Sequence, residues 1–336
     1  MDDHPLRTDL SVAVLHDLDP SWTPVEKQET RAQVAAMVEA LGALGHPVQS
    51  LPVCSTDVDE VLSRLDPRGC ILLNWVEELP GQQRGCVSAA RAFEACGFVY
   101  TGATPEVLDL SYDKPRWKSL LREAGVPTPA DGFYDRPVTD DWKLFPAIVK
   151  PAYAHCSTGI DRDAVVLDPT ALRDRVGWLL EDLGQPAMVE PFVDGREFHV
   201  SLWGNGRIDM LPPAEMDFSA FPDLRDHLCS YHSKFTPGSR AFETITVRLP
   251  APLEPSELAR LEQVCRQAYR VLGCRDYARL DVRLKDGVFY VLDVNPNPDM
   301  TLDTSFVLAA ELQGTSYGEL GSYLVNLAAL RLPALH

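Results

Sequence analysis

The chain reads as a combination of an α/β unit and α+β lobes, and three observations carry that reading. Short apolar runs alternate with helix-period segments through the first hundred residues. Beyond residue 130, strand-like runs follow one another with few helices between them. Near the C-terminus, two alternating strands flank a short turn and gather charged side chains on one face. Alternation of strand and helix predicts a parallel sheet, and strand-rich stretches predict antiparallel ones.

In the first unit, Leu10–His16 is an apolar strand. Val34, Met37, Val38, Leu41 and Leu44 then recur at helical spacing, and Gly45 stops the helix. Val48–Val53, Cys70–Asn74 and Phe98–Tyr100 read as further strands, with Asp57–Leu65 and Gln83–Cys96 as intervening helices. The result is a small parallel α/β unit of about four strands. It lacks a G-x-G-x-x-G turn after its first strand, so a dinucleotide site is disfavoured.

Thr104-Pro105 has the chemistry of an N-cap and first helical position. Tyr112-Asp113-Lys114 opens a second helical stretch that ends in Glu-Ala-Gly-Val-Pro-Thr-Pro at 123–129. Asp131–Tyr134, Phe145–Lys150, Ala164–Leu167 and Met188–Glu190 make the next sheet, with a helix over Thr170–Leu183. From Arg196 the chain is strand-rich, then forms a helix over Pro255–Leu272, the charged hairpin, and closing helices through Leu330. Phe218–Arg240 is polar, carries two prolines and has no clear periodicity. A loop of that length is usually functional or disordered. These shifts divide the chain into units 1–103, 104–194 and 195–336.

Composition excludes several classes. The 336 residues are 45% apolar and 24% charged, as in an ordinary soluble globular protein. A net charge of −18 argues against nucleic acid, whose phosphates demand clustered Lys and Arg. The N-terminus has neither a basic n-region nor an apolar h-region, so no signal peptide is expected. No run approaches the length of a membrane span. Eight scattered cysteines without C-x-x-C read as reduced residues of a cytoplasmic protein.

The hairpin Tyr277–Leu284 and Phe289–Pro298 carries the strongest chemical signal. Period-2 geometry places Arg279, Asp281 and Arg283 on one face of the first strand, and Asp293 and Asn295 on one face of the second. Lys285, Asp286 and Gly287 supply the turn. Two carboxylates and an amide oxygen are hard ligands that suit Mg²⁺, with phosphates and water completing its shell. An arginine beside them suits a phosphate or oxyanion. On these residues alone, a hairpin with a solvated charged face remains an equal reading. Three other segments add to it. Phe145-Pro-Ala-Ile-Val-Lys150 is an apolar strand ending in lysine, and a loop with Ser157, Thr158 and Gly159 follows. Backbone amides and small hydroxyls in such a loop cradle phosphates. Ala187–Phe198 reads as strand, hinge and strand, and Lys114 opens its helix.

In this order and spacing, the motifs resemble the ATP-grasp superfamily, and within it the D-alanine–D-alanine ligase family. The resemblance covers residues 98–310 well and the first hundred loosely. It implies an ATP-grasp fold with a small parallel α/β N-terminal (pre-ATP-grasp) domain. It also implies an ATP-dependent carboxylate–amine ligase working through an acyl phosphate. By that resemblance Lys114 and Lys150 hold ATP phosphates, and Glu190 precedes the adenine hinge. Pro191 and Val193 read the adenine edge through backbone groups, and Glu197 accepts from ribose hydroxyls. Asp281, Asp293 and Asn295 match the metal triad for Mg²⁺, two ions by the family pattern, with Mn²⁺ an alternative. Asp293 stands where the family more often has glutamate. Arg279 matches the arginine that neutralises the transferring phosphoryl, Lys234 a lid lysine, and Ser157 the conserved part of the phosphate loop.

Departures fall on the substrate side. Tyr153-Ala-His155-Cys156 replaces glycine and serine, so His155 and Cys156 are candidate substrate neighbours. Asp299 stands where the family has a glycine beside the oxyanion, and could hold a substrate ammonium. Ser305 aligns with a serine that binds the second substrate's carboxylate. The Glu-containing signature after the first strand is replaced by His16-Asp-Leu-Asp-Pro-Ser-Trp22. The expected substrates are amino acids or a small peptide, with no nucleic-acid or membrane partner; a homodimer is one assembly the sequence leaves open. Two alternatives keep the fold or the nucleotide: a ligase for a larger peptide acid or an intramolecular cyclo-ligase, and a non-catalytic nucleotide sensor. Arg279 and the intact triad argue against the sensor.

Overall fold

The computed structural model describes residues 6–155, 157–229 and 244–332. Three sheets organise these residues. The first is parallel and contains β1 (Val12–Asp17), β2 (Val48–Val53), β3 (Ile71–Trp75) and β4 (Val99–Tyr100), in the order β2-β1-β3-β4. Helices α1 (Pro24–Ala43), α2 (Val58–Leu62) and α3 (Gly85–Ala95) connect them. Thr23 and Glu26 close a capping box at the start of α1, which satisfies amides that the first helical turn leaves open. β1 runs one residue beyond the expected end and so carries Asp17 to the C-terminal edge of the sheet.

Two short helices follow, α4 (Pro105–Tyr112) and α5 (Lys114–Glu123). Asp113 separates them and caps the second, its carboxylate accepting from the Arg116 amide at 3.1 Å. The second sheet is antiparallel, with β5 (Gly132–Tyr134), β6 (Ala147–Pro151), β7 (Val165–Val166) and β8 (Ala187–Pro191) ordered β5-β8-β6-β7. Helix α6 (Pro169–Asp182) covers it through Leu172, Val176 and Leu179. The third sheet contains β9 (Arg196–Trp203), β10 (Asp209–Met210), β11 (Ala214–Asp217), β12 (Thr246–Arg248), β13 (Tyr277–Lys285) and β14 (Val288–Asn295). Its path is β12-β11-β9-β13-β14, with β10 also pairing β9. Helix α7 (Pro255–Val271) packs on it, and α8 (Ser305–Leu312) and α9 (Tyr317–Ala329) end the described chain.

β8 and β9 belong to different sheets, so residues 192–195 pass from one lobe to the other. The β13–β14 turn is tighter than the sequence suggests. Lys285 stays in the strand opposite Val288, and Asp286 and Gly287 alone turn, with φ of +50° and +78°. Both values lie in the left-handed region that a two-residue hairpin with native twist requires. None of the seven described cysteines forms a disulfide with another described cysteine.

The units are joined by apolar cores that ignore their boundaries. Val12, Ile71 and Leu73 of the first sheet pack with Phe306 of α8, Leu324 of α9 and Tyr277 of β13. Trp117 and Leu121 of α5 pack instead with Leu261 and Cys265 of α7. A polar knot reinforces the first junction. Asp276 is fully buried, accepts from Arg331 through both oxygens at 2.7 Å, and accepts from the Gly102 amide at 2.8 Å and Asn205 Nδ2 at 2.7 Å. Arg331 also donates to the Tyr100 carbonyl at 2.6 Å. Asp276→Ala strands a guanidinium and two further donors, so equilibrium unfolding should show a loss of about 3 kcal/mol. A loss within ±0.5 kcal/mol, typical of surface changes, contradicts this role.

Candidate active site

Side chains from the two antiparallel sheets converge on one cleft of about 820 Å³, counted with its open mouth. Lys150, Ile148 and Glu190 come from β6 and β8, and Glu197, Asp281, Arg283 and Asp293 from β9, β13 and β14. Lys114, His155, Ser157, Thr158 and Cys229 complete much of its wall. Two sheets joined by a short hinge therefore face each other across it.

Glu190 has no solvent exposure and ion-pairs with two lysines. Lys150 Nζ lies 2.7 Å from Oε2, and Lys118 Nζ pairs with Oε1. Burial alone would raise this carboxyl, but the two ammonium groups outweigh it and hold it at about 2. Lys118 also donates to Thr128 Oγ1 at 2.6 Å, and that hydroxyl donates to the Val291 carbonyl of β14 at 2.8 Å. Sequence reasoning missed Lys118. Its position four residues after Lys114 puts both lysines on one helix face, and that spacing was the available signal.

The hinge is set by backbone contacts. The Phe192 amide donates to the Pro146 carbonyl at 2.8 Å. Arg283 Nη1 donates to the Val193 carbonyl at 2.7 Å, so the amide of Val193 is the backbone group left for a ligand. Arg283 Nε donates to Glu197 Oε2 at 2.7 Å, and its guanidinium lies 4.7 Å over the Phe192 ring. Arg283 thus fixes both the hinge and the Glu197 carboxylate. Pro191 and Val193 line the cleft beside Ile148 and Phe192, which give it apolar walls.

Register brings the acidic set together. Asp281 sits opposite Asp293, and Arg279 opposite Asn295. The register shifts just beyond Asp281, yet Arg283 still reaches Glu197 on the cleft side. Arg279 Nε donates to Asp281 Oδ1 at 2.9 Å. Asp293 Oδ1 accepts from the Val294 amide at 3.1 Å, and Asn295 Oδ1 from the Asn297 amide at 3.3 Å. Two carboxylates and an amide oxygen held this way fit a small hard cation, since each oxygen keeps lone pairs for a metal.

Lys114 and the loop that follows β6 are anchored to protein. The Lys114 amide donates to the Ala152 carbonyl at 3.2 Å, and its ammonium donates to the Ala154 carbonyl. Ser157 has φ of +56°, and its hydroxyl donates to the Cys229 carbonyl at 3.2 Å. His155 Nε2 is 3.0 Å from Ser111 Oγ, and its ring meets the Tyr112 ring edge-on at 4.0 Å. Ser111 already donates its proton to the Leu108 carbonyl at 2.6 Å, so His155 carries its proton on Nε2. Burial, reinforced by Lys114, lowers this imidazole to about 4 and keeps it neutral. Asp299 is occupied internally: Oδ1 accepts from Trp75 Nε1 at 3.2 Å and the Thr301 amide at 3.0 Å, and Oδ2 from Thr301 Oγ1 at 2.6 Å. Ser305 is the first residue of α8. Cys156 and Lys234 lie outside the described residues, as do residues 230–240 of the expected loop.

A second acidic group was not singled out from sequence. Asp17 Oδ1 accepts from the Glu77 amide at 3.3 Å, which holds the segment after β3 against the end of β1. Solvent reaches the Glu77 side chain, yet protein surrounds it closely. That desolvation, reinforced by Asp299, Asp17 and Glu78, pushes its carboxyl up to about 8 against the pull of Arg279. Desolvation also raises Asp17 to about 6. Carboxylates at the C-terminal ends of parallel strands were the sequence signal, because ligands bind at that edge.

Two antiparallel sheets facing each other across a cleft lined by lysines and carboxylates give the chain the ATP-grasp architecture. Residues 122–326 match the family described as D-ala D-ala ligase C-terminus, and the chain belongs to that family. The uncharacterized protein y4sG of Sinorhizobium fredii is 32% identical over 267 residues, covering 78% of this chain and 75% of that protein. A D-alanine–D-alanine ligase of Nitratidesulfovibrio vulgaris is 30% identical over 308 residues, covering 90% and 94%. The fold also matches the crystal structure of D-alanine–D-alanine ligase from Bacillus anthracis complexed with ATP. That match has a TM-score of 0.71 at 20% identity and covers 96% of this chain and 98% of that one. Among the described residues, no helix is long and apolar enough to cross a membrane.

The raised Glu77 carboxyl has a stability signature. Its pKa is higher folded than unfolded, so the folded state holds an extra proton between about pH 4.5 and 8, and stability falls as pH rises through that window. Glu77→Gln removes that component. The thermal midpoint of the unliganded wild type should therefore drop more than that of the variant between about pH 5 and pH 8. Equal drops in the two proteins would show that Glu77 is not desolvated in the folded state.

Proposed function

We propose that this enzyme activates the carboxylate of one amino acid or small peptide with ATP and joins it to the amine of another. The observation that carries the reading is the placement of Arg279, Asp281, Asp293 and Asn295 on one face of the β13–β14 hairpin. Asp281 and Asp293 share their cleft with Lys114 and Lys150. In this reading the Val193 amide and Pro191 carbonyl read the adenine edge, and Glu197 Oε1 accepts from ribose. Lys114 and Lys150 balance the phosphates, and the amides of 157–159 cradle them. Asp281, Asp293 and Asn295 would hold Mg²⁺, which supplies charge neutralisation on the phosphates when bound.

Arg279 faces the transferring group. The substrate carboxylate attacks the γ-phosphorus, the bond to ADP breaks, and an acyl phosphate results. The acceptor amine then attacks the acyl carbon, phosphate leaves, and the amine loses its proton as the amide forms. Arg279 stabilises the extra negative charge in both steps. Closure of the cleft keeps the acyl phosphate from water. A cytoplasmic setting fits ATP use and free thiols.

Because Arg279 aims at developing charge, Arg279→Ala should lower kcat by about 10²–10³-fold while changing the KM for ATP far less. Unchanged kcat with weakened ATP binding would assign Arg279 to ground-state phosphate instead.

The amino-acid pockets differ from the family pattern at 16–22, at 153–156 and at Asp299. An unmatched buried polar group costs about 1–3 kcal/mol, and each 1.4 kcal/mol is a factor of ten. Two such mismatches reduce D-alanine turnover by roughly 10²-fold or more. ADP release with D-alanine alone, measured against paired L-amino acids and short peptides, tests both the activity and this specificity. D-alanine alone should not give the highest kcat/KM. If it does, the altered pockets do not set the substrate; if no pair releases ADP, the ligase reading fails.

A further inference from the structure

Glu197, His199 and Cys229 bring a carboxylate oxygen, an imidazole nitrogen and a thiol sulfur within 4.8 Å of one another. Two of these residues lie on β9, two positions apart and so on one face of the strand. The third arrives from the segment after β11, whose Cys229 carbonyl is held by Ser157. Glu197 Oε2 is committed to Arg283, which leaves Oε1 toward His199 at 3.9 Å from Nε2. Asp281 Oδ1 lies 3.8 Å from the same nitrogen. These separations are too long for hydrogen bonds but close to those of atoms sharing one ion. Bonds of about 2.0–2.3 Å to a tetrahedral ion place ligand atoms roughly 3.3–3.7 Å apart. Side-chain rotations of about an ångström therefore complete the shell.

The donor set differs in kind from the neighbouring oxygen triad. Mg²⁺ disfavours sulfur and nitrogen, whereas zinc takes Cys, His and carboxylate together. We infer that Glu197, His199 and Cys229 form a site for a borderline-soft divalent cation of the Zn²⁺ type, and that its occupation closes the nucleotide cleft. Closure follows because the ion takes Glu197 and crowds Asp281, which the proposed function assigns to ribose and Mg²⁺. Only this competition rests on that function; binding of the metal does not.

Cobalt(II) is the probe, because thiolate ligation gives it a charge-transfer band in the near ultraviolet and tetrahedral geometry gives it visible bands. Titrating the full-length, metal-free protein with Co²⁺ should produce both. Stoichiometric Zn²⁺ should bleach them. Cys229→Ser should abolish the charge-transfer band, and His199→Asn should weaken Co²⁺ binding by about tenfold or more, since each removes one of few ligands. A non-hydrolysable ATP analogue with Mg²⁺ should displace the cobalt. Absence of the band in the wild type, or its survival in Cys229→Ser, overturns the site. A band that persists at a nucleotide concentration shown to saturate the protein in a separate binding titration overturns the closure. Failure of the nucleotide to bind at all in that titration is a failure of the proposed function and leaves the Cys229 comparison to decide the metal site.

Discussion

The buried triad Lys118–Glu190–Lys150 is the interaction on which the cleft depends. A carboxylate with no solvent exposure is costly unless it is paired, and here two ammonium groups pair it. Burial lowers the pKa of Lys118 and the neighbouring Lys150 adds to that, while Glu190 pulls the other way. The Lys118 nitrogen is held between Glu190 and Thr128. Lys150 lies at the edge of the triad and also lines the cleft. The same contacts fix geometry, since Thr128 passes the connection on to the Val291 carbonyl in the opposite lobe. One buried carboxylate thereby sets the position of Lys150 at the cleft and part of the spacing between two sheets.

Arg283 performs the matching task on the other wall. It is almost fully buried, with Glu197, the Val193 carbonyl and the His227 carbonyl as partners. Its delocalised fork reaches three acceptors at once, which a lysine at this position could not do with the same geometry. Lys285 and Val288 face each other across the tight turn, so the strand register leading to Arg283 is set from the hairpin tip inward. The irregularity beyond Asp281 falls between Arg283 and the metal-type residues. The hinge and the acidic set can therefore share one strand while keeping separate partners.

Much of this was legible in sequence because local rules dominate it. Period-2 alternation placed Arg279, Asp281, Asp293 and Asn295 together, and the strands pair in a register that does so. Capping chemistry marked α4 and α5, and apolar periodicity marked α1. The parallel unit with about four strands was likewise readable from alternation. What escaped depends on tertiary packing. Lys118 looks like a solvated helix residue until α5 is buried against α7 and β8 supplies Glu190. Glu77 follows an apolar strand without any motif, and its environment comes from Asp17 and the distant Asp299. Cys229 is more than 25 residues from His199 in sequence, and only the fold makes them neighbours. His155 lines the cleft, and its contacts with Ser111 and Tyr112 rest on a pairing across 44 residues that no sequence pattern announces.

The electrostatics of the cleft run against the charge of the whole chain, and the reconciliation lies in exchange. A net charge of −18 repels an anionic nucleotide at long range, although salt shortens that range to about 8–10 Å. Among the described residues at and beside the cleft, Lys150 has Glu190 as an acceptor, Arg283 has Glu197, Arg279 has Asp281, and Lys114 has the Ala154 carbonyl. In the proposed reading a triphosphate would compete with partners already present. Substitution becomes favourable when the displaced carboxylates acquire a cation of their own. In the proposed reading the displaced Asp281, with Asp293 opposite it, would take a divalent cation, which would tie nucleotide binding to that metal. The identity of that ion then matters, because oxygen donors and the adjoining nitrogen–sulfur set favour different metals from positions that share Asp281 as a neighbour.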